Sequence, residues 1–151
     1  RAYNDQVARK LYISLKKFDE EKASIFLKAW QGKSPKSISA QLHSAIALQV
    51  SGDITASIKA YEVLLKQDVN NITALNNLAW LLHEKNDARA LPYAEHAFKF
   101  APNSPSVLDT LGWILYKKGQ TAKGKAMIEK AARIAPNDPS IKEHIKEIQK
   151  P

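Results

Sequence analysis

The sequence of 151 residues contains no cysteine, only five glycines and a single methionine. The absence of cysteine excludes disulfides, thiolate metal ligands and thiol nucleophiles, although it does not define the redox compartment because many exported proteins also lack cysteine. No apolar run approaches the ~20 residues that a membrane-spanning helix needs. A content of 44% hydrophobic and 25% charged residues is typical of a folded protein.

The first residues, Arg1-Ala2-Tyr3, form neither a signal peptide nor the context of an initiator methionine. We therefore expect the chain to be the C-terminal part of a longer protein. The net charge of +8 is unevenly distributed, because residues 1–37 sum to +5, residues 38–104 to −1 and residues 105–151 to +4. Basic ends thus flank a nearly neutral centre.

A seven-residue phrase recurs along the chain. The segment Ala97–Asn103 returns as Ala131–Asn137, and its proline moves from Pro102 to Pro136, a spacing of 34 residues. A period of this length carried by paired helices is the signature of tetratricopeptide repeats. The resemblance implies an all-α fold: a right-handed α-solenoid of about four helix-turn-helix units plus a C-terminal capping helix.

The register of the period divides the chain into units. We expect a single solenoid over residues 1–151, with units at about 4–37, 38–71, 72–104 and 105–138 and a capping helix at 139–150. Turns are predicted at Gly52-Asp53, at Asn86-Asp87 and at Gly119, and the third unit is one residue short at its turn. The first unit is degenerate, because Phe18 stands where glycine is usual.

Local signals support the same register. Ser104-Pro105 and Asp138-Pro139 each combine a capping side chain with a proline at the first helical position. Gly124, Ile128 and Ala131 supply the small, large and small residues that allow two antiparallel helices to approach closely.

In tetratricopeptide proteins the first helix of each unit lines a concave groove, and the resemblance implies the same here. The groove positions of this chain are rich in aromatic and amide side chains. The predicted partner-binding residues are Tyr12, His43, Asn76, Asn77, Trp80, His83, Asp109, Trp113, Tyr116 and Lys117.

Trp80 and Trp113 are the strongest candidates, because aromatic side chains are enriched at binding hot spots. The alternative is that each tryptophan only fills space between adjacent first helices. Asn76 and Asn77 could hold an extended peptide backbone through their amides, or be solvated residues of the helix surface. The chaperone-binding members of the family hold a C-terminal carboxylate with Lys, Asn, Asn, Lys and Arg at fixed groove positions. The corresponding residues here are Leu42, Ile46, Asn77, Ser106 and Thr110, so only Asn77 matches and the cations are absent.

No motif predicts catalysis, a metal or a cofactor. Gly32-Lys33-Ser34 lacks the first glycine of a phosphate-binding loop, and His83-Glu84 lacks the second histidine of a zinc-protease motif. His43, His83, His96 and His144 are spread over separate units without the spacing of metal ligands, which favours structural or solvated histidines. We predict that the protein is not an enzyme.

Three segments carry a narrower resemblance. Leu75–Trp80, Asp87–Glu95 and Leu108–Leu115 resemble the C-terminal repeats of bacterial tetratricopeptide lipoproteins of the PEP-CTERM/exosortase system over roughly residues 4–145. That resemblance implies a role in exopolysaccharide-associated assembly. It also implies a location in the cell envelope, on the periplasmic side, with membrane association through a lipid anchor upstream of this sequence.

The leading functional hypothesis is a protein–protein interaction scaffold that binds a partner peptide in the groove. The alternative is recognition of an anionic polymer, a polysaccharide or a nucleic acid, by the basic terminal units. The sequence contains no nucleic-acid motif beyond its basicity. Self-association through the open N-terminal end of the solenoid is a third hypothesis, although truncation of a longer chain could itself produce a dimer by exposing Val7, Leu11 and Leu15.

Overall fold

The computed structural model describes residues 3–150, so Arg1 and Ala2, on which the expectation about the chain start rests, and Pro151 lie outside the described residues. Within residues 3–150 the chain forms nine α-helices and no strand. The helices are α1 (Asp5–Phe18), α2 (Glu20–Lys33), α3 (Ile38–Val50), α4 (Ile54–Gln67), α5 (Ile72–Glu84), α6 (Ala90–Phe100), α7 (Pro105–Lys117), α8 (Thr121–Ile134) and α9 (Pro139–Ile148). The all-α prediction is confirmed.

Most helices begin at a polar side chain that caps the first turn. The Asn71 carboxamide oxygen accepts the backbone N–H of Ala74 at 3.0 Å, and the Asp138 carboxylate accepts those of Ser140 and Ile141. These bonds satisfy N–H groups that have no partner within the helix. Ser104 is an exception to the prediction. Its hydroxyl lies 3.1 Å from that of Ser106 and makes no capping bond, so proline alone marks the start of α7.

The turns inside the units confirm the predicted positions. Gly52 and Gly119 both have φ of +87°, and Asn86 has φ of +56°. Glycine reaches this region without a steric penalty, and asparagine is the residue that replaces it most readily. The degenerate first unit has a different turn. Asp19 alone separates α1 from α2, with φ of −155°, so Phe18 needs no left-handed backbone and ends α1 with 78% of its surface exposed.

The chain divides into two compact units with the boundary between Val69 and Asn70. The first unit contains α1 to α4, and the second contains α5 to α9. Each predicted repeat holds two helices, and the boundary lies two residues before the predicted junction between the second and third repeats, at 71/72. A single continuous stack stays a prediction.

Each unit has its own apolar core. In the first unit the cluster includes Ala8, Tyr12, Leu27 and the fully buried Trp30. In the second unit α9 closes the core at its C-terminal end, where Ile141 packs with Leu108 and Ala131. The predicted capping helix therefore buries its apolar stripe against the preceding repeat, while Lys142, Glu143 and Lys146 stay exposed and Glu147 is half-buried.

Helices α7 and α8 meet at two glycines. A Cβ atom on Gly124 would lie 2.6 Å from both the backbone oxygen of Gly112 and the backbone nitrogen of Tyr116, and one on Gly112 would lie 2.9 Å from the oxygen of Gly124. Such distances leave no room for a methyl group on either helix. The expectation of a close approach at Gly124 is confirmed, and its partner on α7 is Gly112.

Candidate functional site

In the second unit α5 and α7 are the first helices of the third and fourth repeats, and the capping helix α9 takes the position of a further first helix. Helix α7 contacts both α5 and α9. We call their exposed surface the first-helix face of the second unit. The helices that form it carry eight of the predicted residues, of which Asp109 is buried. Asn76, Asn77, Trp80 and His83 lie on α5, and Asp109, Trp113, Tyr116 and Lys117 lie on α7.

An aromatic cluster forms on this face around a residue of α9. The imidazole of His144 stacks on the indole of Trp113 with ring centroids 4.1 Å apart and an interplanar angle of 13°. The indole of Trp80 lies 5.5 Å from the same imidazole. Tyr116 stacks on Trp113 at 5.8 Å. Trp80 and Trp113 are thus joined through a histidine that reaches them from the capping helix.

The Asp109 carboxylate holds this histidine in place. Its two oxygens lie 2.8 and 2.9 Å from Nδ1 of His144, and both side chains are buried. Only 5% of the Asp109 surface is exposed, so its carboxylate binds α9 and is not available to a partner. This corrects the prediction of Asp109 as a groove contact. The physical reason is that α9 occupies the place next to α7 that a further repeat would occupy.

The interpretation of His144 as a structural histidine fits its burial and its bond to Asp109, whereas the contact with Asp109 was not predicted. A signal was present in the register. With Pro105 and Pro139 both at the first position of a unit, Asp109 takes position 5 and His144 takes position 6 of the following unit, and both are groove positions. Extending the register into the capping helix would have placed the two side chains together.

Both tryptophans also line a pocket. It has a volume of about 470 Å³ and lies among the C-terminal ends of α5 and α7 and the chain that enters α6. Four predicted residues contribute: Trp80, His83, Trp113 and Lys117. The remaining lining residues were not predicted, and they are Glu84, Asn86, Asp87, Ala88, Ala90 and Lys118.

The short turn of the third repeat explains where the pocket opens. In the second and fourth repeats the second helix starts two residues after the left-handed glycine, at Ile54 and Thr121. In the third repeat α6 starts four residues after Asn86, at Ala90, and no side chain caps it. Residues 88–89 form a turn instead, in which the backbone N–H of Ala90 donates to the oxygen of Asp87 at 3.1 Å. The pocket lies at this turn, beside the two tryptophans.

Charges around the pocket are unequal. Burial lowers the pKa of His83, and the nearby Lys117 and Lys118 lower it further, with Glu84 acting in the opposite direction. The Asp87 carboxylate is bound by the Arg89 guanidinium at 2.8 Å, and this hydrogen bonding lowers its pKa. Because Asp87 is already paired, the charges left at the rim are two lysines and Glu84.

Lys117 also contacts an aromatic ring. Its ammonium lies 5.3 Å from the ring centroid of Trp113, within the range of a cation–π interaction. The indole of Trp113 is therefore in contact with a histidine, a tyrosine and a lysine, while it is still only half-buried.

The two predicted asparagines of α5 are half-buried. The side-chain oxygen of Asn76 is buried without a hydrogen-bond partner in the described part of the chain. Such an orphaned acceptor costs free energy unless something satisfies it. Asn77 takes part in a side-chain interaction of its own, so the two amides are not equivalent.

In the first unit the predicted residues are packed together. The rings of Tyr12 on α1 and His43 on α3 lie 4.8 Å apart, and Trp30 lies 6.1 Å from His43. Only 6% of Tyr12 is exposed. Burial lowers the pKa of His43, and the charge of Arg9 lowers it further. Tyr12 therefore acts in the core, which corrects its prediction as a partner contact.

A polar network secures this aromatic cluster. The indole N–H of the fully buried Trp30 donates to one carboxylate oxygen of Asp5 at 3.1 Å, and the hydroxyl of Ser37 donates to the other at 2.7 Å. The Ser37 oxygen in turn accepts the backbone N–H of Ala40. The start of α1 is thereby tied to the end of α2 and the start of α3.

Residues 3–150 contain neither a cluster of metal ligands nor a membrane-spanning helix. No group of three or more histidine, aspartate or glutamate side chains is arranged to hold a metal ion. None of the helices in this range has both the length and the apolar character required to cross a bilayer.

The geometry defines the class of the fold as an all-α helical-repeat solenoid. A family model described as Tetratricopeptide repeat matches residues 105–138, which is the fourth predicted unit. A TPR repeat-containing protein of Pseudomonas aeruginosa is 25% identical over 130 residues, which cover 80% of this chain. The aligned part is 22% of that relative's length, so the chain spans less than a quarter of it.

Solved structures share the fold. PilF of Pseudomonas aeruginosa superposes with a TM-score of 0.75 at 24% identity, over 95% of this chain and 68% of that chain. The first TPR of Spaghetti (RPAP3), solved with an HSP90 peptide, superposes with a TM-score of 0.66 at 14% identity, over 75% of this chain and 90% of that chain.

Proposed function

We propose that the protein is a non-enzymatic scaffold that binds a peptide segment of a partner protein on the first-helix face of the second unit. The observation that carries this proposal is the placement of Trp80 and Trp113. Both indoles are half-buried and line one pocket, whereas the third tryptophan, Trp30, is fully buried in a core. Half-exposed aromatic side chains in a pocket supply large contact area at little entropic cost.

The packing alternative for these tryptophans is compatible with binding. Trp113 stacks on His144, which orients the indole, while the pocket stays open beside both tryptophans. A rigid aromatic wall loses little conformational freedom when a ligand arrives, which favours affinity. The likeness of the fold to the RPAP3 repeat, which was solved with a peptide, supports the same general mode.

The test uses the immobilised protein and an extract of the source cells. We expect the Trp80→Ala/Trp113→Ala variant to lose a protein that the wild type retains. The matched control is Phe18→Ala/Phe100→Ala, which removes two exposed aromatic side chains that do not line this pocket. A third variant, Trp80→Phe/Trp113→Phe, preserves ring stacking on His144 and guards against a loss caused by unfolding. If the wild type, the Trp80→Ala/Trp113→Ala variant and the Trp80→Phe/Trp113→Phe variant all retained the same protein equally, the proposal would be contradicted.

The cellular setting is also part of the proposal. The resemblance to lipoproteins of the PEP-CTERM/exosortase system supports an exopolysaccharide-associated assembly at the bacterial cell envelope, with the protein lipid-anchored on the periplasmic side. Fractionation of source cells followed by immunoblotting tests this. We expect the intact protein in the membrane fraction, and its recovery with cytoplasmic proteins would overturn the envelope assignment.

The alternative function is binding of an anionic polymer, and the charge distribution favours it. Residues 1–37 and 105–151 carry +5 and +4, respectively. Neutralising a polymer's charges releases counterions, so such binding must weaken steeply as salt rises. Retention that withstands several-fold physiological salt would exclude this alternative.

A further inference from the structure

We propose that the pocket beside Trp80 and Trp113 accepts an acidic segment of a peptide, with a large apolar side chain against the indoles and a neighbouring carboxylate at Lys117 and Lys118. This inference rests on the proposed function and adds the chemistry of the ligand. It applies to the pocket at the entry to α6, in the repeat that is one residue short.

The walls of the pocket account for the apolar side chain. The indoles of Trp80 and Trp113 lie on one side, and Ala88 and Ala90 line the pocket from the chain that enters α6. Pockets of ~300–1,000 Å³ hold compact ligands, so a volume of about 470 Å³ accommodates one large side chain and its neighbours. Methyl groups and aromatic faces favour an aromatic or branched aliphatic occupant.

Two lysines at the rim of the pocket are the reason to expect an acidic residue in the ligand. Lys117 and Lys118 both line it, and neither ammonium forms a salt bridge with another residue in the range 3–150. Of the two lining carboxylates, Asp87 is bound to Arg89 and only Glu84 is left, while Glu147 of α9, outside the lining, interacts electrostatically with Lys117. A carboxylate from a partner would complete the charge balance, whereas a basic segment would be repelled.

Lys117 lies next to both the basic rim and the aromatic wall of the pocket. Its ammonium is held over the ring of Trp113, so a carboxylate bound by Lys117 lies close to an apolar side chain resting on that indole. The proposed motif is therefore short, with the acidic and apolar residues adjacent or nearly so. A carboxylated polysaccharide would match the lysines but carries no large apolar side chain to place against the indoles.

The experiment selects peptides from a random, displayed dodecapeptide library on three proteins. These are the wild type, Lys117→Gln/Lys118→Gln, and the matched control Lys99→Gln/Lys142→Gln, which removes the same charge from exposed lysines of the second unit outside the pocket. The consensus peptide is then synthesised and titrated against each protein by calorimetry. Lys117→Arg/Lys118→Arg serves as the charge-conserving rescue.

We expect the wild type and the control to enrich acidic peptides that contain an aromatic or branched aliphatic residue. The Lys117→Gln/Lys118→Gln variant loses two exposed charge pairs with the ligand, so it should bind the synthetic peptide about tenfold more weakly than the wild type. The arginine variant should restore most of the affinity. The apolar contact is tested independently, because Trp113→Ala should weaken the same peptide at high salt, where the lysine contribution is screened.

Each other outcome has a defined meaning. Enrichment of neutral or basic peptides, or equal affinity of the wild type and the Lys117→Gln/Lys118→Gln variant, would overturn the acidic ligand while leaving peptide binding intact. No enrichment by any of the three proteins would contradict the proposed function itself. Lysine-dependent binding of polygalacturonate without any selected peptide would replace the peptide with an anionic polymer.

Discussion

Adding one methyl group at Gly124 should destabilise the second unit more than any helix-propensity gain can offset. In Gly124→Ala the new Cβ would lie 2.6 Å from two backbone atoms of α7, the oxygen of Gly112 and the nitrogen of Tyr116. Neither atom can rotate away, so α7 and α8 must separate to reach ordinary contact distances. Overpacking typically costs about 1–3 kcal/mol, and clashes with backbone lie at the upper end of this range.

The opposing effect is the intrinsic preference of helices for alanine. Replacing a helical glycine by alanine gains about 1 kcal/mol. The net loss for Gly124→Ala is therefore about 2 kcal/mol, which should lower the midpoint of thermal unfolding by several degrees.

Gly32→Ala is the matched control. Gly32 lies near the end of α2, and nothing is found within 4 Å of its added Cβ. Here only the propensity effect operates, so we expect an unchanged or slightly higher midpoint, with a gain of up to about 1 kcal/mol. Circular dichroism at increasing temperature and urea denaturation measure both variants. If Gly124→Ala proved as stable as Gly32→Ala, the close contact between α7 and α8 would not exist in solution.

Three further predictions concern the polar residues of the fold. Asp109→Ala should cost about 1–3 kcal/mol in urea denaturation, because it leaves the buried imidazole of His144 without its partner, and an unchanged midpoint would contradict the role assigned to the pair. Burial holds the pKa of His43 below its unfolded value, so the unfolded chain binds more protons and stability should fall as pH drops below ~6.5. His43→Phe should reduce that acid sensitivity, which urea midpoints at pH 7 and pH 5 would measure, and equal slopes for both proteins would refute it. Asn86→Ala should lower the free energy of unfolding by about 1 kcal/mol, because the backbone at Asn86 has a φ of +56°. Asn86→Gly should not lower it. Equal unfolding midpoints for the two variants would contradict a left-handed turn at this position.

Local signals in the sequence determined the helices and their register. Asp138 caps α9 where predicted, Asn71 caps α5, and Gly52, Asn86 and Gly119 make the predicted turns. These features depend on a few neighbouring residues, since a cap satisfies N–H groups two or three positions ahead and a left-handed turn needs only one suitable residue. The periodicity of 34 then placed the tryptophans on first helices.

Whether each candidate site residue is buried or exposed depends on helices that are distant in sequence. Asp109 and Tyr12 occupy groove positions in the register, yet both are buried, because α9 covers the first and the cluster around Trp30 encloses the second. The pocket also could not be predicted from local sequence, because residues of α5, of α7 and of the chain that enters α6 line it together. A repeat pattern determines which side of a helix a residue occupies, whereas only the packed neighbours decide whether that side remains open.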